Sequence, residues 1–156
     1  MLDILTLPVS KLLPHGDSIV MLDRICAYGD SWLTAEVDLA VPGPLADAYG
    51  RMPAWMGLEL MSQAVAAFGG TLRLKAGLPI QMGFLLGTRS YTCGSAFFPT
   101  SGKALIKVEQ MMAEPATVSL FDCVIVLADA QHAPLAQAVL KVIQPDEPEL
   151  LLQDMN

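Results

Sequence analysis

The chain has 156 residues, 53% of them hydrophobic and 16% charged, with a net charge of -7. That length suits one domain with a real core, and the acidic balance argues against a nucleic-acid partner, which needs a basic surface. A mean hydropathy of +0.48 is oily for a soluble monomer and implies that some apolar surface is buried between subunits.

Cys26, Cys93 and Cys123 are odd in number and widely spaced. They match no metal motif and no disulfide framework, which suits a reducing cytoplasm. No basic segment followed by an apolar run opens the chain, which argues against a signal peptide.

In chain order, Ser10 before Lys-Leu-Leu is placed to cap a short helical turn that Pro14 ends. Pro14-His-Gly-Asp17 is a turn by composition. Ile19 to Tyr28 reads as a strand interrupted by Asp23 and Arg24, whose simplest role is an internal ion pair or an edge pair. Gly29-Asp30 makes the turn. Trp32 to Leu39 alternates, with Leu33, Ala35, Val37 and Leu39 against Thr34, Glu36 and Asp38. That is a half-buried strand, and the two runs predict an antiparallel hairpin.

A loop rich in Pro and Gly leads to Pro53-Ala-Trp-Met-Gly-Leu-Glu59-Leu-Met-Ser-Gln63-Ala-Val-Ala-Ala-Phe68. Proline suits a first helical turn, and apolar residues fall on every face, so the pattern predicts a wrapped central helix from Pro53 to Ala76. Gly77 is a good stop. Its length would allow a membrane span, but Glu59, Ser62 and Gln63 near the middle oppose insertion. Trp55 and Phe68 suit the core more than a ligand site, although one residue can serve both. Met56, Met61, Met82, Met111 and Met112 suit core filling more than a flexible tunnel wall.

After Gly77 and Pro79, four strands are predicted: Gln81 to Tyr91, Lys103 to Met112, Thr117 to Leu127 and Leu135 to Ile143. Turns stand at Gly102, Glu114-Pro115 and Asp129 to His132. The domain spans 1–144, and 145–156 form an acidic tail. Strands with one long helix on one face give an α+β domain.

Between Arg51 and Arg73 the only ionisable side chain is Glu59. An acid in so apolar a helix has three readings. It works as an acid or base, it pairs silently with an Arg, or it lies on an exposed stripe with Ser62 and Gln63.

Three segments carry a resemblance to the hot-dog-fold β-hydroxyacyl-acyl carrier protein dehydratases. They are Leu12-Leu-Pro-His15 through Leu22-Asp-Arg-Ile25, Met52-Pro53 with Leu58-Glu-Leu-Met-Ser-Gln-Ala64, and the run from Gly83-Phe-Leu85 through Gly102. The chain looks most like a subgroup of predicted 3-hydroxyacyl-carrier-protein dehydratases, some tied to aryl polyene lipid pathways.

The resemblance implies a curved antiparallel sheet around the central helix, dimers with a continuous sheet, and acyl tunnels at the interface. It implies reversible removal of water from a 3-hydroxyacyl thioester of acyl carrier protein or coenzyme A, with no cofactor. Catalysis would pair a His of one subunit with the helix Glu of the other. Glu59 matches that acid, and Gln63 the glutamine one turn on. The backbone N–H of Ala54, where the family has Gly, would polarise the thioester carbonyl, with Trp55 beside it as a binding residue.

The family His does not carry over. Its place falls near Leu45, and Pro44 to Arg51 contains no His. His15 has an apt intrinsic pKa, yet its Pro-His setting makes a structural role the default. His132 reads as a solvated loop residue. Asp47 and Tyr49 are further polar candidates. Two other readings stay open: a subunit that pairs with a conventional dehydratase, as a heterodimer rather than a homodimer, or an acyl thioesterase.

Overall fold

In the computed structural model the alternating run near the N-terminus forms the expected hairpin, β1 (Arg24–Tyr28) antiparallel to β2 (Trp32–Asp38). The structure describes residues 3–14, 20–43, 46–81, 83–113, 118–129 and 134–143. Leu33, Ala35 and Val37 of β2 are buried, as a period of two requires with one face on the core. β1 begins five residues later than expected. Just before it, Asp23 accepts the Asp38 backbone N–H at 2.6 Å. Of the two roles expected for these residues, the edge pair forms: Arg24 bonds Glu36 across the hairpin at 3.2 Å, and not its neighbour Asp23.

Two 3-10 turns, Ile4–Thr6 and Val9–Lys11, precede the hairpin. Ser10 does not cap the second, whose N-cap is Pro8. Asp3 caps the first, accepting the Leu5 N–H.

The central helix α1 spans Met56–Lys75. It starts three residues after the expected Pro53, because the chain there is held extended. Phe98 N–H donates to the Met52 carbonyl and Ala54 N–H to the Ala96 carbonyl, both at 2.9 Å, and Pro53 bridges to Phe97. At the other end Gly77 takes a φ of 73°. Leu78 N–H then reaches the Arg73 carbonyl and Gly77 N–H the Leu74 carbonyl, which is a Schellman cap. Met56, Leu60, Met61, Ala64, Ala67 and Phe68 are buried. No helix among the described residues is long and apolar enough to cross a membrane.

β3 (Phe84–Cys93), β4 (Lys103–Ala113), β5 (Val118–Leu127) and β6 (Ala136–Ile143) follow. The described strands form one six-stranded antiparallel sheet in the order β1-β2-β4-β5-β6-β3. Its inner face presents Ile106, Val108, Phe121, Cys123, Ile125, Ala138 and Leu140 to the helix. This is an α+β hot-dog fold, a sheet wrapped around one long helix. β1 and β3 are its edges. The expected domain boundary at 144 and the tail from 145 lie outside the described residues.

Cys26, Cys93 and Cys123 are free thiols. Burial, with Asp122 as a lesser cause, pushes the Cys123 thiol up to about 12. Only a thiolate attacks disulfide reagents, so a chromogenic disulfide should label Cys123 in denaturant and leave it unlabelled in the native protein. Rapid native labelling would place it outside the core.

Candidate active site

One face of α1 stays off the sheet and lines a cavity of about 410 Å³. Glu59, Ser62, Ala66, Gly69 and Arg73 form its helix wall; Leu85 of β3, Phe121 of β5 and Val142 of β6 form part of the other. Residues three and four apart share a helix face, so the sequence alone places these side by side. Glu59 is the one acid among the described residues that line the cavity.

Glu59 has neither of its simple structural fates. It is half-buried, and no cation pairs with it among the described residues. Its Oε1 accepts the Gln63 side-chain amide at 2.9 Å. Gln63 is 1% exposed, and its own oxygen accepts the Met21 backbone N–H at 2.8 Å. The Met21 donor therefore fixes which end of the amide faces Glu59. One carboxylate oxygen is tied down, and Oε2 has no hydrogen bond among the described residues. Such an arrangement suits proton transfer at a single defined oxygen.

The helix start differs from expectation. Ala54 N–H is spent on the Ala96 carbonyl, so it cannot polarise a thioester in this conformation. The next amide, of Trp55, has no acceptor among the described residues. Its peptide group is held from the other side, where the Ala54 carbonyl accepts the Tyr91 hydroxyl and Gly57 N–H. Burial, then the neighbouring Cys93, holds the Tyr91 phenol well above its ordinary value, so it remains a donor. Gly57 matters here, since a side chain at that position would run into the Tyr91 hydroxyl.

The other candidates scatter. The Trp55 side chain is 57% exposed and does not line the cavity. Asp47 accepts Arg51 Nε at 2.7 Å and the Tyr49 and Arg51 backbone N–H groups. The Arg51 backbone bond, above all, keeps its carboxyl below the ordinary range. Arg51 stacks on the Phe97 ring at 3.9 Å, so Asp47 serves the loop and not the cavity. Tyr49 is exposed. Of the methionines, Met56 and Met61 are core and Met111 is exposed. Phe68 serves both core and cavity wall. His15, His132 and Met82 lie outside the described residues.

Tyr91, Gln81, Gln110 and Ser119 are site residues that the sequence pattern did not single out. Arg73 is legible there as a cation flanking the helix end, and its near-integral number of helical turns from Glu59 is the signal that ties it to the cavity. The strand residues had none, because strand order decides what faces the cavity.

The model of the ApeP-like family, described as ApeP dehydratase, matches residues 7–153. The chain belongs to this family. Among solved structures, this ApeP-like chain resembles one from the dehydratase heterocomplex ApeI:P of Xenorhabdus doucetiae, at 25% identity. That match covers 96% of this chain and 98% of that one, with a TM-score of 0.85. A hypothetical thioesterase with coenzyme A from Streptococcus pneumoniae shares 15% identity over 77% of this chain and 83% of its own, TM-score 0.59. A putative thioesterase from Shewanella oneidensis shares 12% over 78% and 82%, TM-score 0.56. The two thioesterases show the common fold alone. No curated protein gave a significant match.

Proposed function

We propose that this ApeP-like protein dehydrates a 3-hydroxyacyl thioester, with Glu59 as its acid/base group. The observation that carries this reading is a lone cavity acid with one oxygen locked by Gln63 and the other unbonded among the described residues. In the reaction, a base removes the α-proton and the C–H electrons form the double bond. The β-hydroxyl leaves with a proton, as water. A carboxylate that takes the first proton and returns it to the hydroxyl ends unchanged. The Trp55 N–H, at the positive end of the helix, is the backbone donor assigned to the thioester carbonyl in this reading.

A second hot-dog subunit completes the site in this reading. The loop from Pro44 to Arg51 has no histidine, and a solved chain that this one resembles at 25% identity comes from a dehydratase heterocomplex. The β3 edge suits such a partner. It is ten residues long, and its Leu85 and Leu86 are about half exposed, a combination that monomers avoid on a free edge. The thioester is carried by an acyl carrier protein or coenzyme A.

The test is Glu59→Gln, which keeps the side chain's shape and an acceptor for Gln63. Enoyl thioester formation should fall on the order of a hundredfold or more, for the chain alone or with its partner, at unchanged thermal stability. Turnover equal to wild type would overturn the role.

A further inference from the structure

The cavity has a second polar end that this chemistry does not use. Glu59 and Arg73 both line it, fourteen positions apart on α1, which places them about 21 Å apart along the axis. β3 runs back along the helix, since Tyr91 near its end touches Ala54 at the helix start. Leu85, six residues earlier, therefore stands about 20 Å toward the helix C-terminus. Gln81, Gln110 and Ser119 also line the cavity. Ser119 belongs to the same level as Leu85, because both partner Val142 in the sheet.

Arg73 is positioned rather than loose. Its Nε donates to the Pro79 carbonyl at 2.9 Å. No carboxylate lies within ion-pair distance of it among the described residues. The helix C-terminus by itself favours a cation there. It does not explain why that cation lines the cavity along with three more hydrogen-bonding side chains. Gln110 Nε2 already donates to Ser119 Oγ at 3.0 Å, which leaves the serine proton to offer. A partly desolvated cation beside a hydroxyl donor matches an anion.

We propose that Arg73, with Ser119 and the amides of Gln81 and Gln110, forms a subsite for an anionic group tethered about 20 Å from the carbon that reacts at Glu59. The placement of the reacting carbon rests on the proposed dehydratase reading. The anion has two sources, a carboxylate at the far end of the acyl chain or the phosphate of the thioester's carrier arm.

Three 3-hydroxyacyl thioesters of equal acyl length separate these: a methyl-ended N-acetylcysteamine thioester, its ω-carboxylate counterpart, and a methyl-ended phosphopantetheine thioester. One of the two anionic substrates should show a KM lower by about tenfold than the neutral one, the worth of one charge-assisted hydrogen bond. Arg73→Met should bring that ratio close to one. A preference for the ω-carboxylate assigns the subsite to the acyl end, and one for phosphopantetheine assigns it to the carrier arm. Equal KM values in wild type, or a preference that survives Arg73→Met, overturns the subsite. Calorimetric titration of the same ligands into Glu59→Gln protein, with and without Arg73→Met, measures the same preference as an affinity ratio, without turnover. Failure of the Glu59 assignment is thereby distinguished from failure of the subsite.

Discussion

Gln63→Leu should lose about a hundredfold in turnover, far more than its loss of folded protein explains. Gln63 makes no contact with the cavity, so the effect is one of position. Its amide holds Glu59 Oε1 at 2.9 Å and is itself held by Met21 N–H at 2.8 Å. Leucine matches the volume but offers neither bond. Glu59 is then free to change rotamer, and a misplacement of about 1 Å costs on the order of a hundredfold. The Met21 N–H is left without its acceptor, which costs about 1–3 kcal/mol, or a Tm lower by roughly 2–12 °C. Enoyl formation normalised to the folded fraction from urea unfolding separates the two effects. Wild-type turnover per folded molecule would show that Gln63 does not position Glu59.

Gly70→Ala should lower the Tm by about 6–12 °C, equivalent to about 3 kcal/mol. The sign is the informative part. In an exposed helix this substitution stabilises by about 1 kcal/mol, because glycine loses more backbone freedom on folding. At Gly70 a Cβ would lie 2.9 Å from the Leu12 carbonyl carbon and 3.1 Å from its Cα, and closer still to its oxygen. Those are backbone atoms, and Leu12 is fully buried. The N-terminal segment must therefore lift off the helix. Gly87→Ala is the control, since nothing lies within 4 Å of its Cβ position, and it should change stability by less than about 0.5 kcal/mol. A Gly70→Ala protein as stable as wild type would mean that the segment does not dock there.

The parts of the fold that were legible are those with a strong local period. Leu33, Ala35 and Val37 announced their strand. The apolar run around Glu59 announced a wrapped helix, and its lone acid announced the cavity. What stayed hidden depends on residues far away in the chain. Pro53 reads as a helix start, and it is the strand-like pairing with Phe97 that delays the helix to Met56. Ala54 N–H is available by sequence position alone, and it is Ala96, more than forty residues on, that occupies it. Arg24 finds Glu36 across the hairpin rather than its neighbour Asp23. β3 follows the helix in sequence but sits at the sheet edge beside β6, which no local pattern encodes. That placement is what brings Leu85 and Val142 onto the wall of the same cavity as Ser62 and Ala66.

Dehydration by this cavity is tested most directly by following two signals at once on purified protein, alone and with a hot-dog partner from the same source. A 3-hydroxyacyl thioester is supplied, and enoyl absorbance and free thiol are recorded together. Dehydration predicts enoyl absorbance that rises without thiol and disappears in Glu59→Gln. Thiol release without enoyl would contradict it and make the cavity that of a thioesterase.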